Sequence, residues 1–486
     1  MRLRVKLKKL HREGEISVYL CLVFVVVISL FVSVITAARG AALQAVFECA
    51  LESALCSAFG EYDRELLDRY DVMFIDLSYL SNSPDPENLE ARIQTYLDDN
   101  LLPEKGTKLL FASDFADVSG TNVELEKYTL ATDYYGQAFR KQAIDYIKDF
   151  VMVKDIENIQ NLITVSDTYK LTEFDIEKES EQIKLKCAKK GETWQQTDFE
   201  NSLLDRLDNI DFKIPDSIGK LSLATIDITD TVSFRNKENG NYALPDFELD
   251  ITNDIFFDEY IMAEFGNFID RKEDTKLAYE TEYILAGYPS DAVNLTAVAG
   301  SIFAIRTAAN LYTLHSSEEI KTTVEAAAQI VGALIKIPPE AASELIMFLW
   351  ALAEATTDVT QILEGKKIPV VKGEGDLNVS LQGIIPFITS QAELADNESP
   401  VAYYDDGIPI VEAGYTDYLR LFLIMLPVFQ RTVRTMDMIE QDLRYCGSGE
   451  NIFFRFDACT DSIRVTVSME SAFDFRFITT KEYSFF

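Results

Sequence analysis

Histidine is nearly absent from this chain, and its two copies cannot meet: His11 lies before an uncharged apolar run and His315 lies far beyond it. That removes Ser-His-Asp and Cys-His nucleophiles, histidine zinc sites and histidine general bases from the long portion after the run. No GxxxxGK(S/T) phosphate loop occurs, and Gly373-Glu374-Gly375 lacks the third glycine and the helix of a dinucleotide site. Paired carboxylates can cleave glycosidic bonds, but eighty Asp and Glu residues single out no pair. The acidic groups Asp246, Glu248, Asp250, Asp254 and Asp258, and Asp396, Glu398, Asp405 and Asp406, lack the spacing of an EF-hand loop. A solvated acidic face is the simpler reading of both. The expectation is a protein that is not an enzyme, with no catalytic residues, no metal ligands and no cofactor.

Cysteine chemistry is equally thin. Cys21 lies in the apolar run, leaving Cys49, Cys56, Cys187, Cys446 and Cys459, too few to scaffold so long a body. Cys49 and Cys56 are separated by about 10.5 Å of helical rise, beyond the roughly 7 Å that a disulfide spans. Cys446 and Cys459 are spaced to close a loop around Gly447-Ser448-Gly449; free thiols are the other reading.

The element that must position everything else is the apolar run, Ile16 to Ala38. It carries no charge, and about 1.5 Å per residue lets it cover the roughly 30 Å of bilayer hydrocarbon. Arg2, Arg4, Lys6, Lys8, Lys9 and Arg12 precede it against only Glu13 and Glu15, which predicts an N-terminus inside and a body outside. The leader's net +4 leaves −39 on the rest of a chain whose total is −35, so nucleic acid is not a partner. Thr36-Ala37-Ala38 resembles a signal cleavage site, but an apolar stretch of about 23 residues exceeds the usual 7–15 of a signal peptide.

Helical periodicity continues past the run. Leu43, Val46, Phe47, Leu51, Leu55 and Phe59 form a stripe that predicts a packed stalk, against the body or against a neighbouring subunit. The sequence fixes no oligomeric state.

The expected class is α+β, divided as follows. A basic leader (1–15), a membrane helix (16–38) and a stalk helix (39–80) precede a mixed α/β region (81–287). A helical bundle (288–364) of three patterns, Ala292 to Leu314, Ser317 to Lys336 and Pro339 to Leu363, is followed by a strand-and-turn insertion (365–414). Next come a helix (415–445) interrupted at Pro427, whose Leu419, Leu421, Phe422, Ile424, Met425, Leu426 and Phe429 are expected to form core, and C-terminal strands (446–486) in which Ile463, Val465, Val467 and Met469 alternate. Within the mixed region Tyr134 to Thr164 reads as helix, and Leu221 to Phe234 alternates as a strand does.

Several segments resemble a family of functionally uncharacterised single-span proteins of Gram-positive anaerobes, encoded beside Flp/Tad-type pilus and secretion components. They are Gly14-Glu15-Ile16-Ser17-Val18-Tyr19, Glu61-Tyr62-Asp63-Arg64-Glu65-Leu66-Leu67-Asp68-Arg69-Tyr70 and Glu282-Tyr283-Ile284-Leu285-Ala286-Gly287. To these are added Ile305-Arg306 with Ala309-Asn310, and Gly414-Tyr415-Thr416-Asp417-Tyr418-Leu419-Arg420. The resemblance implies a pseudopilin-like or pilus-assembly accessory protein. The opening also resembles a type IV prepilin, but Tyr19 stands where such substrates carry the Glu that pairs a neighbour's N-terminal amine. A TadE/TadG-like anchored tether fits that departure better than a filament subunit. The expected partners are membrane lipid, through 16–38, and pilus or secretion proteins. The alternative is an anchored surface module whose acidic face binds calcium or cell-wall partners.

Overall fold

The computed structural model describes residues 2–79, 81, 83–101, 118–148, 150, 153–188, 212–242, 251–389, 411–471 and 475–485. Its first element, α1 (Arg2–Phe59), is one helix of 58 residues, about 87 Å long. No proline interrupts it, and Gly40 costs only about 1 kcal/mol. Residues 16–38 are exposed around the whole circumference and are long and apolar enough to cross a membrane. The basic residues Arg2 to Arg12 fall where the backbone of α1 is described and their side chains are not.

The elements that follow, in chain order, are α2 (Arg64–Tyr70), β1 (Ile75–Asp76), α3 (Pro86–Leu101), β2 (Val118–Tyr128), α4 (Asp133–Ile147), α5 (Val153–Thr168) and α6 (Ile176–Ala188). Next come α7 (Ile251–Glu264), α8 (Glu280–Ala286), α9 (Asp291–Ser316), α10 (Glu318–Ile335), α11 (Pro339–Leu363), β3 (Ile368–Pro369) and α12 (Leu381–Thr389). The chain closes with β4 (Glu412–Ala413), α13 (Tyr415–Met425), α14 (Val428–Tyr445), β5 (Cys459–Thr460), β6 (Ser462–Ser471) and β7 (Arg476–Ser484). The result is a helix-rich α+β body on a long apolar N-terminal helix.

Three apolar cores hold it together. In the first, the outer half of α1 and α3 cover one face of an antiparallel sheet ordered β2-β6-β7, with Val123 opposite Val467 and Val467 opposite Thr479. Alternation puts Ile463, Val465, Val467 and Met469 inward. The second core joins α2, α4, α7, α8 and α14. The third is the bundle α9–α11, covered by α5, α6, α12 and α13. Helix α9 is also long and apolar enough to span a bilayer, but 61% of its most apolar window is buried, so it is a core helix. Where α4 begins, Tyr134, Tyr135 and Gly136 are all left-handed (φ 50°, 62° and 73°). A Cβ at Gly136 would come within 2.5 Å of Thr432 on α14, so glycine is what lets the two helices close.

The structure departs from the sequence pattern at several points. Leu221 to Phe234 forms no strand: it contains a 3-10 turn at Ile228–Asp230 and a single bridge between Thr225 and Ser290. Its alternating residues line a connector, which period-2 patterning alone does not distinguish from a sheet. Tyr134 to Thr164 is two helices, not one. The insertion at 365–414 holds helix α12 besides the two-residue strands β3 and β4. Met425 and Phe429 flank Pro427 on the exposed side of the α13–α14 joint and are not core.

Cys446 and Cys459 are both free thiols. Phe454 and Phe456, buried in the second core between them, carry Cys459 onto β5 opposite Asp76, where its thiol donates to the carbonyl of Arg455 (3.3 Å).

Leu55→Ala should cost ~2–5 kcal/mol, because it empties a fully buried position between α1 and the sheet. Leu30→Ala, on the exposed stretch, should move stability by less than about 0.5 kcal/mol. Urea midpoints of the detergent-solubilised full chain check both, and equal effects would contradict this division of α1.

Candidate functional site

Two features concentrate specific side-chain chemistry: the seat of α1 and a set of buried ionic clusters behind it. In the seat, Leu43, Phe47, Leu51, Leu55 and Phe59 are buried and Val46 packs partly buried beside them. Phe47, Leu51, Leu55 and Phe59 share one core with Leu89, Ile93 and Leu97 of α3 and the inward face of the sheet. The polar flank of the helix is tied down as well. Gln44 donates to Glu48 (2.9 Å) and Lys481 of β7 donates to Glu52 (2.5 Å).

The run Glu61 to Tyr70 turns out to be the connector from this seat to the rest of the body. Glu61 accepts from the Tyr96 hydroxyl (2.6 Å) and sits 3.7 Å from Arg92. Asp63 caps α2 by accepting from the Leu66 N–H (2.9 Å). Glu65 accepts from the N–H and hydroxyl of Ser448 (2.9 and 2.8 Å). Arg69 donates to the Asp274 carbonyl (2.8 Å), and the Tyr70 hydroxyl donates to Asp442 of α14 (2.7 Å). Charged residues at this density in one short segment are explained by what each must reach.

Behind the connector the interior carries balanced ionic clusters. Arg306 of α9 donates to Asp358 of α11 from Nε and Nη2 (3.0 and 2.8 Å), and through Nη1 to the carbonyls of Pro369 and Val370 (2.9 and 2.7 Å). Asn310, one turn on, donates to the same carboxylate (2.9 Å). Lys372 bridges Asp358 (2.5 Å) and Glu354, and Glu354 accepts from the N–H groups of Asn378 and Val379 (2.8 and 2.7 Å). Burial alone would raise the Asp358 carboxyl, but the charges of Arg306 and Lys372 hold it below its ordinary value. The cluster pins the strap after β3 across the bundle.

Two further clusters repeat the balance. Arg431 and Arg140 face Asp258 and Asp254 (2.9 and 2.7 Å). Arg235 and Arg444 share Glu440 (2.6 and 3.0 Å), and Arg235 also reaches Asp457 (2.5 Å). Asp254 and Asp258, read from sequence as part of an acidic face, are therefore occupied by arginines. Asp246, Glu248 and Asp250, and Asp396, Glu398, Asp405 and Asp406, lie outside the described residues. Among the described residues no group of three His, Cys, Asp or Glu side chains is placed to hold a metal.

The carboxyls of α8 are different, because among the described residues no cation pairs with them directly; Lys272 acts on Glu280 only from a distance. Glu280 accepts from the Gly266 N–H (2.8 Å) and faces Asp442; burial first, and the Asp442 charge second, push its carboxyl well above the ordinary range. Its Oε1 has no N–H or O–H donor among the described residues. Glu282 accepts from the Phe268 N–H (2.8 Å) and the Tyr415 hydroxyl (2.6 Å), and burial pushes it up to about 7.

Sequence reading found the stalk stripe but not the roles of Glu354, Asp358 and Lys372. The available signal was the i, i+4 spacing of Arg306 with Asn310 and of Glu354 with Asp358, polar pairs on otherwise apolar helices.

Fold and site together define a helix-rich α+β protein that carries a long apolar N-terminal helix and an interior braced by ion clusters. The chain belongs to the family of unknown function DUF5702, whose match covers residues 193–471, more than half of its length. The ionic clusters at Arg306, Arg431 and Glu440 fall mainly inside that region, whereas α1 and the Glu61–Tyr70 connector precede it. No curated protein and no solved structure matches the chain.

Because Glu282 holds its proton more tightly folded than unfolded, folding takes up a proton between about pH 4.5 and about pH 7. Its contribution is full below that window and is lost as pH rises through about 7, an effect of about 3 kcal/mol at most. Glu282→Gln, which keeps an acceptor for Phe268 and Tyr415, should raise Tm near pH 8 and flatten the slope across the window. Thermal melts of both chains from pH 4.5 to 8 check this, and parallel curves would contradict it.

Proposed function

We propose that the protein is an N-in, single-pass membrane protein whose body works outside the cytoplasm as a structural or accessory component of a Tad/Flp-like pilus or secretion assembly, through protein contacts. The observation that carries this reading is the continuity of α1. An apolar, exposed length sufficient for a bilayer runs without a break into a stretch packed along one whole face of the sheet. Such a helix fixes the body at a set height and orientation above the lipid, which suits a tether better than a freely diffusing enzyme. The basic leader supports the orientation. The assembly partner comes from the resemblance, whose longest run, Glu61 to Tyr70, is the connector that joins anchor to body.

Gentle solubilisation of native membranes should recover the full chain together with Tad-type platform and ATPase proteins; recovery of the chain alone would remove the assembly role. Protease added to intact cells should digest the body and spare the leader. The reverse pattern would invert the topology.

A further inference from the structure

Strand β7 runs alongside α1, and its side-chain contacts give the height of each residue above the apolar stretch. Phe475, just before β7, lies against Gly40: a Cβ there would sit 3.0 Å from its ring. Phe477 meets Phe47 (ring centroids 6.5 Å apart), Lys481 meets Glu52, and Tyr483 meets Phe59 (4.6 Å). The sheet therefore begins level with residue 40 and climbs away from it. Gly40 is two residues past Ala38, about 3 Å of rise. The headgroup layer on each side of the hydrocarbon is about 5–8 Å deep. Phe475 falls within that layer, whereas Thr480, near the level of Glu52, stands about 18 Å above Gly40.

The strands that end at this rim share its character. Val118 and Gly120 of β2 pair with Ser471 and Glu470 of β6, and Ser471 donates its N–H to the Phe475 carbonyl (2.9 Å). Among the described residues the charges here are Arg39 and Arg476 against Glu470, 3.4 Å from Arg476. With Asp474 of the same hairpin counted from the sequence, this end of the sheet carries no net charge, on a body that is otherwise strongly acidic. An aromatic ring and arginines at headgroup height suit a phospholipid surface, the ring at the boundary and the guanidiniums among the phosphates.

We infer that this end of the β2-β6-β7 sheet is a second lipid contact, in which Phe475 and Arg476 rest on the bilayer surface beside α1. The inference rests on the anchor reading above. It makes the attachment two-point, a span and a foot, so the body cannot swing about residue 38.

The test uses the full chain in vesicles of mixed neutral and anionic phospholipid, with quenching by lipids brominated near the headgroup end of the acyl chain. Single variants Leu22→Trp, Phe475→Trp, Arg476→Trp and Thr480→Trp are each read against the unsubstituted chain, whose Trp194 and Trp350 set the baseline. Phe475→Trp and Arg476→Trp should lose emission and shift to the blue on vesicle binding, and Thr480→Trp should not. Arg476 is exposed, so its variant reports even where Phe475→Trp disturbs the contact with Gly40. If Leu22→Trp is quenched while Phe475→Trp and Arg476→Trp behave as Thr480→Trp does, the foot is wrong and the anchor stands. If Leu22→Trp is itself unquenched, the anchor reading falls and the foot with it.

Discussion

One helix has to satisfy two surroundings, and the remaining architecture answers to that. Over residues 16–38 α1 is apolar on all sides, which a helix within a protein surface cannot be; from Arg39 onward it is apolar on one stripe only. The change happens without a turn, a proline or a cap, so the backbone hydrogen bonds stay inside the helix from one stretch to the next. The stripe demands a flat apolar partner about 20 residues long. A three-stranded antiparallel sheet with one inward face, closed at its side by α3, supplies it.

The connector then decides how that seat speaks to the family region. Glu65 reaches the loop after α14, and Tyr70 reaches Asp442 within α14, so a ten-residue segment fastens α1 to a helix nearly four hundred positions later in the chain. Bonds of such sequence separation are weak organisers of early folding, since loop closure must precede them. They act instead as locks on a body already collapsed around its three cores. The ionic clusters behind them work in the same way. Taking charges out of water costs several kcal/mol per ion, and pairing returns that only when geometry and additional hydrogen bonds are good. At Asp358 three donors converge on one carboxylate, and at Glu354 two backbone N–H groups complete the set. What the clusters provide is one arrangement of strap, bundle and α14 among many that an apolar interior alone would tolerate.

This division also explains what was legible in the sequence. The apolar run stands out by composition, while the stripe from Leu43 to Phe59, the three bundle helices and the alternating Ile463 to Met469 strand each repeat a local period over many residues, and each has its counterpart in the structure. Proline at 427 marks the α13–α14 joint for the same reason, because it removes a donor and fixes a dihedral. Leu221 to Phe234 misleads because short alternation records only which residues face inward, and a connector laid across a core alternates too. The cysteine pair fails on a different ground: spacing along the chain says nothing about Phe454 and Phe456 drawing the loop into the second core. The partners of Glu354, Glu280 and Asp442 were beyond reach, since each depends on two or three distant segments meeting.

The uncompensated carboxyls of α8 sit at the place where these levels meet. Asp442 takes the Tyr70 hydroxyl from the connector on one oxygen and the Lys276 N–H on the other (2.6 Å), and its carboxyl also faces Glu280, whose neighbourhood and burial raise both carboxyls. Among the described residues no cation is bonded to the pair in the way that Arg306 is bonded to Asp358; Arg69 of α2 donates to the Asp274 carbonyl and acts on Asp442 only through its charge. The connector is thereby joined to α8 through a hydrogen-bonded carboxyl pair whose charge state depends on the medium. Loss of the last proton from it places a second negative charge in a buried site, where Lys272 and Arg69 act only from a distance. The join between anchor and family region is therefore firmest on the acid side, which follows from the arrangement of Tyr70, Asp442 and Glu280 and from no feature of any one of them.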